Sequence, residues 1–308
     1  MNHPKNSLLV CICGPTAVGK TAFSLELAEM LKCDIVNADS RQFYRELNIG
    51  TAKPSAKDLL RVKHHLINSK SIEEDYNVYD YEQDALSKLE EIFSNQDIVL
   101  MVGGSGLYLH AVWEGIEHQI PASDPEVRGQ LEKLFANDGI EGLRKKLKEL
   151  DQKTHDLIDL NNHVRIIRAI EICLLSGQPY SDLKKGIAAQ RPFNVLKIGL
   201  NTDRELLHER INKRVDKMMD EGLETEVRSL ISFRRKNALQ TVGYQELFRY
   251  FDGELSLIEA ADQIKINTRR YAKRQLSWLR RYEDINWFES NDIRKTLDLI
   301  NRKNETLN

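Results

Sequence analysis

Gly14, Pro15, Thr16, Ala17, Val18, Gly19, Lys20 and Thr21 read GPTAVGKT and match the phosphate-loop pattern GxxxxGK[ST] at every fixed position. In such a loop, backbone N–H groups and the positive end of the following helix converge on one point, and the lysine adds a full charge there. A diphosphate or triphosphate suits that nest. Thr21 would offer its hydroxyl to Mg2+, because magnesium held by phosphate oxygens takes few protein ligands. Asp39 closes the next apolar run, where ligands of open α/β sheets bind. An aspartate there serves as a magnesium ligand, a proton acceptor or a turn cap, and position alone leaves the three open. Arg210 and Arg214, four apart, are spaced to reach toward the phosphates, and Arg228 follows on the next helical stretch.

These residues need elements to hold them. Leu8–Cys13 is an apolar run, and 22–32 has apolar residues at helical spacing, which is the strand, loop and helix context the motif requires. A second strand is expected at 33–37, a helix at 82–93, and a third strand at 97–102. That third strand ends in Gly103-Gly104-Ser105-Gly106, where an ATPase would place an acidic residue to hold magnesium and organise a water. Glycines there let backbone approach a ligand, and Ser105 adds a hydroxyl. The adjacent His64 and His65 cannot face one side of an element, so no metal pair is expected.

From 116 to 190 the sequence reads as helices with charged faces. Arg165 and Arg168, three apart on one face, suit phosphate contact as well as a solvated surface. A strand resumes at 195–200, and Asn201-Thr202-Asp203 caps a helix reaching Asp220, with Gly222 as its stop. Between Lys265 and Arg281 there is no acidic residue, and Tyr271 and Trp278 interleave with Arg269, Arg270, Lys273, Arg274 and Arg280. Basic residues with aromatics suit a nucleic-acid backbone and unstacked bases. The polar stretch after Asn291 is expected to be peripheral. The fold class expected is α/β: a P-loop NTPase-like parallel-sheet core from 1–115 and 191–308, ending in RNA-binding helices, with an all-helical insertion at 116–190.

With 308 residues, 41% apolar and 30% charged, the chain is ordinary for a globular protein. No apolar run approaches the roughly 18 residues of a membrane helix, and residues 1–7 lack a signal segment, so a cytoplasmic protein without membrane contact is expected. Cys11, Cys13, Cys33 and Cys173 lack paired spacing, which argues against zinc and disulfides. The net charge of -2 excludes a uniformly basic coat but conceals the basic stretch. An ATP-dependent small-molecule or nucleoside kinase and an RNA-binding nucleotide switch share the loop and stand as alternatives.

Further motifs are DSRQFY at 39–44, GTAKP at 50–54, GGSGLY at 103–108, HVRIIRAIE at 163–171, TVGYQE at 241–246 and YAKRQLSWLR at 271–280. In this order, and with GPTAVGKT, they resemble the bacterial tRNA isopentenyltransferase (dimethylallyltransferase) family over nearly the whole chain. The resemblance implies Mg2+-dependent transfer of a dimethylallyl group from dimethylallyl diphosphate to N6 of adenine 37. That base lies in the anticodon stem-loop of tRNAs reading codons that begin with U. A monomer is expected.

By the same resemblance, Asp39 is the base, and Thr21 and Arg228 align with the family's catalytic threonine and arginine. Asp39, Ser40, Arg41 and Gln42 would contact the target base. Ser105, Arg128, Arg165, Arg168, Gln240, Thr241, Gly243, Tyr244, Lys273, Arg274, Gln275, Trp278 and Arg280 fall on positions that touch tRNA. Two departures are visible: Ser105 replaces the commoner threonine, and Gln240 stands where some relatives have arginine. With no Cys/His pairs after Cys173, the zinc-finger extension of eukaryotic relatives is not expected.

Overall fold

Side chains of β1 (Leu8–Cys13) alternate between two cores. Leu8, Val10 and Ile12 enter one cluster, while Leu9, Cys11 and Cys13 enter another on the opposite face. Burial on both faces is why the run is apolar without interruption. The computed structural model describes residues 7–116, 120–184 and 189–307. Residues 1–6, where no signal segment is expected, lie outside the described residues.

The chain continues through α1 (Lys20–Leu31), β2 (Ile35–Asn37), α2 (Ala56–Arg61), β3 (His64–His65), α3 (Val78–Phe93), β4 (Ile98–Gly103) and α4 (Gly106–Trp113). Four helices follow: α5 (Pro125–Leu150), α6 (Gln152–Leu157), α7 (His163–Ser176) and α8 (Tyr180–Leu183). Then come β5 (Asn194–Asn201), α9 (Arg204–Asp220), α10 (Leu223–Ser229), α11 (Tyr244–Phe251), α12 (Leu257–Leu279), β6 (Asn286–Glu289) and α13 (Ile293–Glu305). The strands form one parallel sheet in the order β3-β2-β4-β1-β5-β6. Among the described residues no helix is long and apolar enough to cross a membrane.

The chain divides into two units, 1–114 with 190–308, and 115–189. In the first, α1, α9, α12 and α13 contribute to the core on one sheet face, and α3 and α4 to the core on the other. A third cluster, with Tyr44, Leu47, Val215, Leu223, Tyr244, Leu247 and Ile264, packs α9 to α12 against the segment after β2. In the second unit the apolar faces of α5 and α7 meet through Leu131, Leu143, Leu147, Ile166 and Ile170, and α5 is kinked at Gly139, whose φ is 65°. Glu171, fully buried there, accepts from Ser123 Oγ at 2.6 Å and from the Asp124 N–H at 2.9 Å, and pairs with Arg168 at 2.7 Å.

Three features depart from the periodicity. Helix α3 begins at Val78 rather than Glu82, because Asn77 caps it and Asp80 reciprocates on the Asn77 N–H. Strands β3 and β6, of two and four residues, are too short to carry an alternation. The tail expected to be peripheral forms α13 and places Ile300, with no exposed surface, in the core beside α1. Ile293, Leu297 and Ile300 recur at helical spacing, so an apolar stripe lies inside a polar average. Burying Ile300 contributes on the order of 2 kcal/mol.

Candidate active site

The loop between β1 and α1 turns through Gly14, with φ 148°, and Gly19, with φ 109°. A Cβ on Gly14 would lie 2.5 Å from the Leu200 carbonyl oxygen, so no other residue fits against β5. Ala17 also has a positive φ, 63°, an arrangement that costs a non-glycine residue energy and that clusters at functional loops. Gly19 is the N-cap of α1 and supplies no side-chain oxygen, whereas Asn77 and Asp203 cap α3 and α9. The first-turn N–H groups of α1 therefore keep their capacity for an anion.

Lys20 Nζ donates to the carbonyls of Gly14 at 2.9 Å and Pro15 at 2.8 Å. Burial lowers its pKa to about 8; the carboxylate of Asp39 opposes this and Arg214 adds to it. Arg214 Nη1 reaches Thr16 Oγ1 at 3.4 Å, and Arg210 Nη1 donates to the Val18 carbonyl at 3.1 Å. Helix α9 thus brings two guanidinium groups to the loop. The lysine shift has a measurable consequence. Below about pH 8 the free protein carries the charge that an anion needs, and above it binding must take up a proton, since a bound anion raises the lysine pKa. Affinity for a fully ionised diphosphate is expected to fall above pH 8, by up to about tenfold per pH unit. A series of kcat/KM values for the diphosphate from pH 6.5 to 9.5 checks this, and a flat profile would remove Lys20 as the cause.

Asp39 follows β2, and the Arg41 N–H donates to its Oδ1 at 3.0 Å. The Asp39 N–H in turn donates to Asn37 Oδ1 at 3.2 Å, and the Tyr81 hydroxyl donates to the Asn37 carbonyl at 3.1 Å. The carboxylate is thus aimed by its own turn, and no described hydrogen bond occupies Oδ2. Asp39, Lys20, Thr21, Gln42 and Gly103 line one pocket, whose apolar wall includes Ile35, Pro54, Ile67 and Val102. Gln42 Nε2 donates to the Thr51 carbonyl at 3.1 Å. The loop carrying Thr51 is held by Glu226, which accepts from the N–H groups of Asn48, Ile49 and Gly50 at 3.1, 2.7 and 3.0 Å and from the Tyr244 hydroxyl at 2.7 Å. Gly50 lies on the Tyr244 ring, where a Cβ would come within 2.5 Å.

Ser105 Oγ accepts from the Ser40 N–H at 3.0 Å and donates to Ser40 Oγ at 3.1 Å, joining the turn after β4 to the Asp39 segment. Tyr271 also bonds to Ser105. Burial and the nearby Asp39 push its hydroxyl up to about 12, against that bond and the fields of Arg41 and Arg274. For a metal, the described residues contain no cluster of three His, Cys, Asp or Glu side chains. The exposed Thr21 hydroxyl in the pocket fits a magnesium ion held mainly by phosphate oxygens.

Residues 42–282 match the family model described as IPP transferase. This chain belongs to the IPP transferase family. A tRNA dimethylallyltransferase of Flavobacterium johnsoniae is 47% identical over 287 residues, covering 91% of this chain and 93% of that one. The tRNA isopentenylpyrophosphate transferase of Bacillus halodurans superposes with a TM-score of 0.73 at 38% identity, covering 98% of each chain. A eukaryotic dimethylallyltransferase solved acting on tRNA shares the fold, with a TM-score of 0.77 at 23% identity over 93% of this chain and 75% of that one.

For this IPP transferase the fold is that of a P-loop NTPase-like α/β protein. Arg228, the catalytic arginine that the motif resemblance implies, is exposed on α10, where its guanidinium pairs with Glu224 and lies 4.3 Å from the Phe251 ring centre. Arg210 and Arg214 are the guanidinium groups beside the phosphate loop. The cause is helical phase: Arg214 and Arg210 share a face of α9, whereas Arg228 starts from a new helix after the Gly222 turn, whose φ is 97°.

The residues that the motif resemblance places at tRNA contacts divide into exposed and buried. Lys273, Arg274 and Arg280 are exposed along or at the end of α12, Arg165 is exposed at the start of α7, and Gln240 is exposed. Tyr244 and Gly243 are buried, and so is Gln275. Trp278 is half-buried against Gly106, where a Cβ would lie 2.3 Å from its ring. Arg128 and Arg168 both reach Glu171, at 3.4 and 2.7 Å. Sequence periodicity gave no signal for the tethering by Glu226 or for the inward face of Gln275, since both depend on contacts made across more than a hundred residues.

Proposed function

We propose that the chain transfers a dimethylallyl group from dimethylallyl diphosphate to the N6 amine of adenine 37 in tRNAs that read codons beginning with U. The observation that carries this reading is that Lys20 and Thr21 of the phosphate loop line one pocket together with Asp39. The strand that would supply a water-orienting acid to an ATPase ends instead in Gly103 and Gly104. A phosphate grip facing a carboxylate suits displacement of diphosphate by a nucleophile that must lose a proton.

The amine nitrogen attacks the allylic carbon bonded to the diphosphate oxygen. A C–N bond forms, the C–O bond breaks with its electron pair passing to the diphosphate, and the amine proton passes to Asp39. General-base help of this kind is worth about 10²–10⁴-fold. Lys20, Arg214 and the N–H groups at the start of α1 stabilise the charge that collects on the leaving diphosphate. Mg2+, held through Thr21 and phosphate oxygens, supplies further charge neutralisation when bound. The target base must leave the anticodon-loop stack, and the exposed Lys273, Arg274 and Arg280 suit the phosphates of that loop. Such an enzyme would work in the cytoplasm, with its tRNA.

The test is to incubate the protein with Mg2+, dimethylallyl diphosphate and an unmodified anticodon stem-loop carrying A36-A37-A38, and to weigh the RNA. The expected product is heavier by one dimethylallyl group, only when the diphosphate is present. An unchanged mass, for full-length tRNA as well, would overturn the reading, and ATP consumption would then test for a kinase.

A further inference from the structure

Gln275 lies on α12 between the exposed Arg274 and the half-buried Leu276, yet its side chain is 7% exposed and turned inward. Its carbonyl oxygen accepts from the Thr16 N–H at 2.9 Å, and its amide nitrogen donates to the Gly104 carbonyl at 2.8 Å. One side chain thus joins the phosphate loop to the turn after β4. Gly104 admits that approach only because it has no side chain: a Cβ there would lie 2.3 Å from Gln275 Nε2.

The peptide it grips is a particular one. The Pro15–Thr16 unit is held at its C=O by Lys20 Nζ and at its N–H by Gln275. An anion in the loop competes with the Pro15 carbonyl for the lysine, and once Lys20 turns to it, the peptide keeps its orientation through Gln275. The Thr16 side chain is held from a third direction by Arg214. A loop whose peptides are already oriented loses less entropy when the anion arrives.

We propose that Gln275 is a positioning residue for the diphosphate loop, fixing the Pro15–Thr16 peptide from α12, and that it does not contact tRNA. The proposal rests on the transfer reaction for its biological meaning, but its direct readout is anion binding. The variants are Gln275→Met, which keeps the length and loses both hydrogen bonds, and Gly104→Ala, which leaves Gln275 present and displaces its amide. Binding of inorganic pyrophosphate with Mg2+ and of an anticodon stem-loop is measured by calorimetry, together with the unfolding midpoint.

Both variants are expected to weaken pyrophosphate binding about tenfold, the scale of one or two buried hydrogen bonds, while RNA affinity stays within about twofold. In turnover the same split appears as a raised KM for dimethylallyl diphosphate with the KM for tRNA unmoved. Unchanged pyrophosphate affinity would overturn the proposal, as would a loss confined to RNA. A joint fall of both affinities with the midpoint in both variants would also overturn it, leaving Gln275 a packing residue. Should Gln275→Met not fold, Gly104→Ala decides. If the wild-type protein binds pyrophosphate but leaves RNA unmodified, the transfer reading fails while the role of Gln275 is still read from the variants.

Discussion

An Asp39→Ala variant is expected to lose about 10²–10⁴-fold in kcat, the range that a positioned general base supplies. Its carboxylate is aimed into the pocket by the Arg41 N–H, which holds Oδ1 at 3.0 Å. The local bonds that shape the segment do not pass through the removed side chain alone: Asn37 receives the Asp39 N–H, and Ser105 receives the Ser40 N–H. The fold and RNA affinity are therefore expected to persist. Single-turnover transfer, stem-loop affinity and the unfolding midpoint of the variant give the result. Turnover near the wild-type rate in a folded variant would remove Asp39 as the base.

A second large effect separates two arginines. Arg214→Gln is expected to lower kcat/KM for dimethylallyl diphosphate about 10²–10³-fold, as loss of one oriented donor to a developing anion does. Burial lowers the pKa of Arg214, with Asp39 opposing, so its charge sits in a partly dry setting where it acts strongly on a neighbouring anion. Arg228→Gln is expected to change the same constant by less than about tenfold. That guanidinium is exposed and already paired with Glu224, and such surface pairs contribute little. Steady-state kinetics of the two variants side by side decide between them, and the reverse order of effects would return Arg228 to the catalytic centre.

The phosphate loop and the core strands were readable from residue types because each depends on local chemistry. GPTAVGKT needs a strand before it and a helix after it, and both announce themselves through apolar spacing. Asp39 was readable as a residue at the end of a strand; only the structure shows it lining one pocket with Lys20 and Thr21 while its Oδ1 caps the turn at the Arg41 N–H. Helix α13 was masked by its polar average: Ile293, Leu297 and Ile300 carry helical spacing, but three apolar residues do not say that a core lies beside them.

The charged residues show where local reading stops. A basic segment such as 265–281 can be recognised by composition, but composition does not say which side chains point out. On α12, Arg274 is exposed while the next residue, Gln275, is buried and bonded to two loops far away in the chain. Arg214 and Arg228 are equally basic in sequence, and only the packing of α9 beside the loop brings Arg214 to Thr16 while Arg228 pairs with Glu224.

By itself, then, the sequence determined the phosphate-loop motif, the α/β class and the family, since these rest on short motifs whose backbone geometry is set by glycine, lysine and apolar neighbours within about ten residues. The tertiary structure decided which guanidinium groups lie beside the phosphate loop, which α12 residue bonds to it, and how Glu226 and Tyr244 hold the segment over the pocket. Apart from the Tyr244–Glu226 bond, those are contacts between residues more than a hundred positions apart, fixed by the direction each side chain leaves its helix and by what the sheet packs against it.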